Sequence, residues 1–125
     1  MPPSPPPNDA LADLAAVLGV DNVRTLVRTF LRDFPLSFQE LSGGSRQNRH
    51  RLAHSMKSNS RLMGAHALSQ RMAEIEIRLS EETGPDVTAD DLAGISAEFD
   101  AIAGPLRDFV RDAPLDQGAR SGKLQ

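Results

Sequence analysis

Apolar residues recur along this chain at steps of three and four, the period of a helix with one buried face, and strand-like alternation is absent. Leu11, Leu14, Ala15 and Leu18 share one side of a short first helix, which Asn8 or Asp9 can cap and Gly19 closes. Asp21 is placed to cap a long second helix, where Val23, Val27, Phe30, Phe34, Phe38 and Leu41 form the stripe and Leu26 and Leu31 widen it. Pro35 falls inside this pattern, but the apolar phase continues across it, which predicts a kink rather than two helices. Ser42-Gly43-Gly44-Ser45 reads as a turn. A third helix follows from about Arg46 to Leu62, with Ala53, Met56, Ser60 and Met63 along its buried side, and Gly64 breaks the chain's course. A fourth begins near Ala65 and buries Leu68, Met72, Ile75 and Leu79 before Gly84-Pro85 stops it. Thr88, with Asp91 three residues on, resembles a capping box. Leu92, Ile95, Phe99, Ile102, Leu106 and Phe109 then step through a last helix that Gly104-Pro105 should bend or fray.

These elements predict an all-α protein: an up-and-down antiparallel four-helix bundle over residues 9–111, with the short extra N-terminal helix across one end. Residues 1–8 are a proline-rich lead with no packing pattern, expected to be disordered, and residues 112–125 have the composition of a flexible tail. A length of 125 residues accommodates one domain with a modest core. The absence of cysteine excludes a disulfide framework and a thiolate metal site. No apolar run approaches the roughly 18 residues of a membrane span. The N-terminus has neither the basic start nor the apolar centre of a secretory signal. The expectation is therefore a cytoplasmic protein without a membrane partner, and a monomer.

Net charge is only -3, but its distribution is uneven. Leu41 to Ala73 contains no Asp or Glu, yet it holds Arg46, Arg49, Arg51, Lys57, Arg61, Arg71 and the three histidines, His50, His54 and His66. A solvated basic face would explain that segment, and so would a surface for phosphate or for an acidic partner.

His54 decides between them. At about 100° per residue it lies roughly 150° from the centre of the third helix's buried stripe, so its imidazole is held on the solvent side. His54 is ten residues before Gly64 and Glu76 is twelve after it, so on two helices folded back at Gly64 they sit at similar heights. Glu76 adjoins core residue Ile75 and can reach the ring. A carboxylate accepting from one ring nitrogen fixes the tautomer and leaves the other as a nucleophile. Lys57, one turn on, can donate to phosphate oxygens. Ser58 beside it is small and leaves room for a docking surface, and Arg61, two turns along, can meet the same partner.

Taken together, His54-Ser55-Met56-Lys57-Ser58-Asn59-Ser60, Gly64-Ala65, Leu68, Met72 and Ile75-Glu76 resemble the histidine-containing phosphotransfer (HPt) domain, whose pattern is roughly H-x-L-K-G-S-x-x-x-x-G-A-x-x-L-x-x-x-C-x-x-L-E. The preceding helix with Phe30-Leu31-Arg32-Asp33-Phe34-Pro35 is also similar, and the resemblance runs from Leu11 to about Val110. It implies a four-helix bundle in which His54 accepts a phosphoryl group from a receiver-domain aspartate and passes it to another receiver. It also implies that Lys57 stabilises the phosphate, that Glu76 orients the ring, and that His50, Arg51, Ser58 and Arg61 contact the partner. Ser58 stands where the family has glycine, Asn59 where a small hydroxyl residue is common, Met56 for leucine and Met72 for cysteine. Response-regulator receivers and a sensor or hybrid histidine kinase are the implied partners. No Gly-rich phosphate loop or paired acidic nucleotide motif is present, so ATP chemistry is assigned to the separate kinase and the magnesium ion to the receiver. The chain is thus expected to need no cofactor of its own and to act as a carrier, not an enzyme with independent turnover.

Three rival readings compete with this one. His50 and His54, four apart, could share a metal, but His66 lies across the Gly64 break and no HExxH pattern exists. The basic segment could meet nucleic acid, but no aromatic residue is interleaved for stacking. A helical adaptor that docks a receiver or kinase without being phosphorylated would use Lys57 and Arg61 equally well. For His50 and His66, an ordinary surface or interface role outweighs a catalytic one.

Overall fold

The computed structural model describes residues 5–81 and 83–111, so expectations for residues 1–4 and for the tail from 112 on lie outside it. Among the described residues five helices follow one another: α1 (Asp9–Leu18), α2 (Val20–Glu40), α3 (Arg46–Leu62), α4 (His66–Ser80) and α5 (Ala89–Arg111). There is no strand among the described residues.

Asn8 caps α1, its side chain accepting from the Leu11 N–H. A single residue, Gly19, separates α1 from α2; its φ of 91° is one that a side chain disfavours. This corrects the expectation for Asp21. The cap of α2 is Gly19, with no side-chain cap bond, and Asp21 lies within the first turn, where a carboxylate favours the helix dipole. Pro35 sits inside α2 without ending it.

Pro105 likewise fails to interrupt α5, which is helical to Arg111. The physical reason lies in what holds its far end. Ala103, Leu106 and Phe109 are buried on both sides of the proline. From α2, Arg24 Nε donates to the Phe109 carbonyl at 3.3 Å, and Arg28 donates to that of Val110. These cations meet the carbonyls that a helix C-terminus leaves without partners. Arg24 is 3% exposed and its guanidinium stands 5.0 Å over the Phe109 ring. At the start of α5 the capping box is formed: Asp91 N–H donates to Thr88 Oγ1, and Thr88 N–H to Asp91 Oδ2.

Phe30, Phe34 and Phe99 join α2 to α5. The Phe34 and Phe99 rings stack with centroids 4.8 Å apart, and Phe30 tilts against both. The most extensive helix pairing is α3 with α4. Small residues explain the close approach: Ala53 and Ser60 are fully buried, and Ser69 Oγ donates to the Lys57 carbonyl across the pair. The turn between them is held at Gly64, φ 76°, where a Cβ would come within 2.3 Å of the Asn8 side chain. Asn8 Nδ2 donates to the Met63 carbonyl, so one side chain both caps α1 and fastens it to the α3–α4 turn.

Candidate functional site

His54 sits mid-way along α3, between buried Ala53 and Met56, and its side chain is 59% exposed. The apolar neighbours turn one face of α3 into the core and leave the imidazole outside. Glu76 reaches it from α4: Nδ1 and Oε2 are 2.6 Å apart. An ionised carboxylate only accepts, so Nδ1 carries the proton and Nε2, in the neutral ring, keeps its lone pair.

The same carboxylate holds Lys57. Its Nζ is 2.6 Å from Glu76 Oε1, so Glu76 bridges an imidazole and an ammonium, one on each oxygen. Only 15% of the Glu76 side chain is exposed. Burial pushes its carboxyl up, but the hydrogen bonds to Lys57 and His54, with their charges, outweigh this and hold it below the ordinary glutamate value. Residue spacing links Glu76 to His54 but not to Lys57, which it leaves free for phosphate. The signal for the second contact was present. Side chains lean toward their own helix N-terminus, so Lys57 leans away from the Gly64 turn while Glu76, on the antiparallel helix, leans toward it, and the two converge.

Of the expected partner-contact residues, Arg51, Ser58 and Arg61 are exposed and His50 is half-buried; all lie within two turns of His54 on α3. Arg46 and Arg49 correct the picture of a continuous basic patch. Arg46 donates to the carbonyls of Arg78, Glu81 and Gly84, at 2.8, 3.0 and 2.8 Å, and so gathers the end of α4 and the loop beyond it. Arg49 binds both oxygens of Asp86 and the carbonyls of Gly43 and Gly44. Both arginines are committed to loops, which leaves Arg51, Lys57 and Arg61 as the cations nearest His54 along α3. His66 opens α4 and is exposed. Among the described residues no group of three or more His, Cys, Asp or Glu side chains is placed to hold a metal ion, and no helix is long and apolar enough to cross a membrane.

What the arrangement can do follows from its parts. It offers a solvent-facing nitrogen nucleophile, a carboxylate that fixes the ring, and an ammonium beside it that suits an anionic electrophile. Comparison with known proteins points the same way. The family model described as the Hpt domain matches residues 20–104, from the first turn of α2 to the last turns of α5. No curated protein and no solved structure matches the chain. The matched span is more than half of the chain and contains the whole α3–α4 pair, and the protein belongs to the Hpt domain family, a family of histidine phosphotransfer in two-component signalling.

Proposed function

We propose that this protein is a phosphorelay carrier in which His54 accepts a phosphoryl group from the aspartyl phosphate of one response-regulator receiver and delivers it to the aspartate of another. The observation that carries the reading is the exposed imidazole tied through Nδ1 to Glu76, with Nε2 left as the free nucleophile. In the forward step the Nε2 lone pair attacks phosphorus, the P–O bond to the receiver carboxylate breaks, and that carboxylate leaves with the electron pair. The ring gains a positive charge, which Glu76 stabilises across the Nδ1–H hydrogen bond. Lys57 is within reach to share its remaining N–H donors with the phosphoryl oxygens, since an ammonium has three. Delivery to the second receiver reverses these bond changes.

On this reading the helices α2 to α5 form an up-and-down four-helix bundle, with α1 across one end, and the five helices together make up the domain of residues 9–111. The chain has no independent turnover and needs no cofactor. Magnesium belongs to the receiver's acidic pocket, and ATP is used by a sensor or hybrid histidine kinase. Arg51, Arg61, His50 and Ser58 lie on the face that meets the receiver, where positive charge speeds encounter more than it tightens binding. A monomer in the cytoplasm, exchanging partners through a modest transient interface, fits this role.

The test mixes the protein with a phosphorylated receiver and asks for acid-labile, base-stable phosphate on this chain. Label should appear on the wild type and be lost in His54→Gln. Docking of the receiver without any transfer of label would establish the adaptor reading instead.

A further inference from the structure

Lys57 and Ser58 both stand one turn beyond His54, but on opposite sides of it. At about 100° per residue, Lys57 falls roughly 60° to one side of the His54 direction and Ser58 roughly 40° to the other. The contacts agree with that geometry. Lys57 is on the α4 side, with its ammonium on Glu76 and its carbonyl accepting from Ser69. Ser58 is on the α1 side, exposed, and lines the groove between α1 and α3 together with Leu14, Val17 and Arg61. The ring is anchored to α4 through Nδ1, so Nε2 lies on its other side. A phosphoryl group on Nε2 presents three acceptor oxygens, and Lys57 approaches them from the α4 side alone.

We propose that the Ser58 hydroxyl donates a hydrogen bond to a phosphoryl oxygen carried on His54, completing from the α1 side the stabilisation that Lys57 begins. Cβ atoms four apart on a helix are about 5–6 Å from each other, and the Ser58 side chain leans back toward His54 because helical side chains tilt to the N-terminus. Hydrogen bonds to charged acceptors are the stronger class. The consequence is thermodynamic. Ser58 lowers the free energy of phosphorylated His54 relative to the receiver's aspartyl phosphate and shifts the distribution of phosphoryl groups toward this protein. A glycine at this position, as in the family pattern the chain resembles, has no donor to offer.

The inference rests on the proposed phosphorylation of His54, and the experiment separates the two. The protein is equilibrated with a limiting amount of phosphorylated receiver, and the ratio of phosphate on this chain to phosphate on the receiver is measured for wild type, Ser58→Ala, Ser58→Gly and Ser58→Thr. Removing the hydroxyl should lower the ratio about three- to tenfold in both Ser58→Ala and Ser58→Gly, and Ser58→Thr, which keeps the hydroxyl, should stay near wild type. Unfolding midpoints of the variants identify any loss due to the fold, which an exposed site should not cause. A Ser58→Ala ratio equal to wild type, or a Ser58→Thr ratio as low as Ser58→Ala, overturns the role of the hydroxyl while leaving the carrier reading intact. A wild type that never takes up phosphate overturns both.

Discussion

Glu76 serves two partners at once, and its two oxygens make separable predictions. Through Oε2 it fixes the His54 tautomer; through Oε1 it holds Lys57 at 2.6 Å. Glu76→Gln keeps the shape but removes the charge that, in the proposed transfer, stabilises the ring as it becomes cationic. We expect phosphoryl uptake to slow by about tenfold, the lower end of the general range for a positioned acid–base partner and its orienting groups. The lifetime of phosphorylated His54 should not shorten, because Lys57 is then released toward the phosphoryl oxygens. Lys57→Ala should slow transfer or shorten that lifetime with the fold unchanged. Rapid-quench transfer assays and hydrolysis half-lives measure the two effects, and a Glu76→Gln variant with wild-type uptake would remove Glu76 from the mechanism. His54 and Glu76 were legible in the sequence because hairpin heights follow from counting residues either side of Gly64. The loop-clamping roles of Arg46 and Arg49 were not legible, because charge along a sequence says nothing of which carbonyls a long side chain will meet.

At the level of elements, the α3–α4 turn depends on a glycine that tolerates no side chain without strain. Gly64 has φ 76°, and a Cβ there would meet Asn8 at 2.3 Å. Gly64→Ala should therefore cost about 2 kcal/mol, from left-handed strain together with the clash. Asn8→Ala loses the α1 cap and the bond to Met63, about 1 kcal/mol. Because the same Asn8 side chain causes part of the Gly64→Ala cost, the double variant should be less destabilised than the sum, a coupling that urea denaturation of the four proteins reads directly. Strictly additive losses would show that Asn8 does not crowd that turn. Helix existence was readable from apolar steps of three and four, and the Thr88–Asp91 cap from its spacing. The two exceptions share a cause. The expected interruption at Pro105 and the expected Asp21 cap were local inferences, and packing overrode them: Phe109 and Arg24 hold the end of α5 together, while Gly19 alone makes the α1–α2 corner.

For the molecule as a whole, three carboxylates that fasten helices or loops to one another are held below their ordinary values. In Glu76 burial opposes the shift, but Lys57 and His54 prevail. In Asp86 the Val87 N–H leads, with Arg49 adding to it. In Asp91 burial again opposes, outweighed by Thr88 and Arg78. A carboxyl with a depressed folded value binds its proton more readily when unfolded, so the stability it lends is present above the unfolded value, about 4 for these groups, and is lost as pH falls through the folded one. Urea midpoints should hold between pH 7 and 5 and drop below about pH 4, less steeply in Glu76→Gln; a midpoint unchanged down to pH 3 would contradict this. The all-helical architecture that carries these contacts was visible in the sequence, but the bridging of His54 and Lys57 by one half-buried carboxylate required the packed hairpin. On the proposed chemistry, that bridge singles out one ring nitrogen as the phosphoryl acceptor. The most direct measurement is heteronuclear NMR of the protein after phosphorylation by a receiver, with labelled imidazole nitrogens and phosphorus observed together. A phosphorus–nitrogen bond is expected at Nε2 of His54, with Nδ1 still protonated against Glu76; phosphate on Nδ1, or on any other residue, would refute the proposed chemistry.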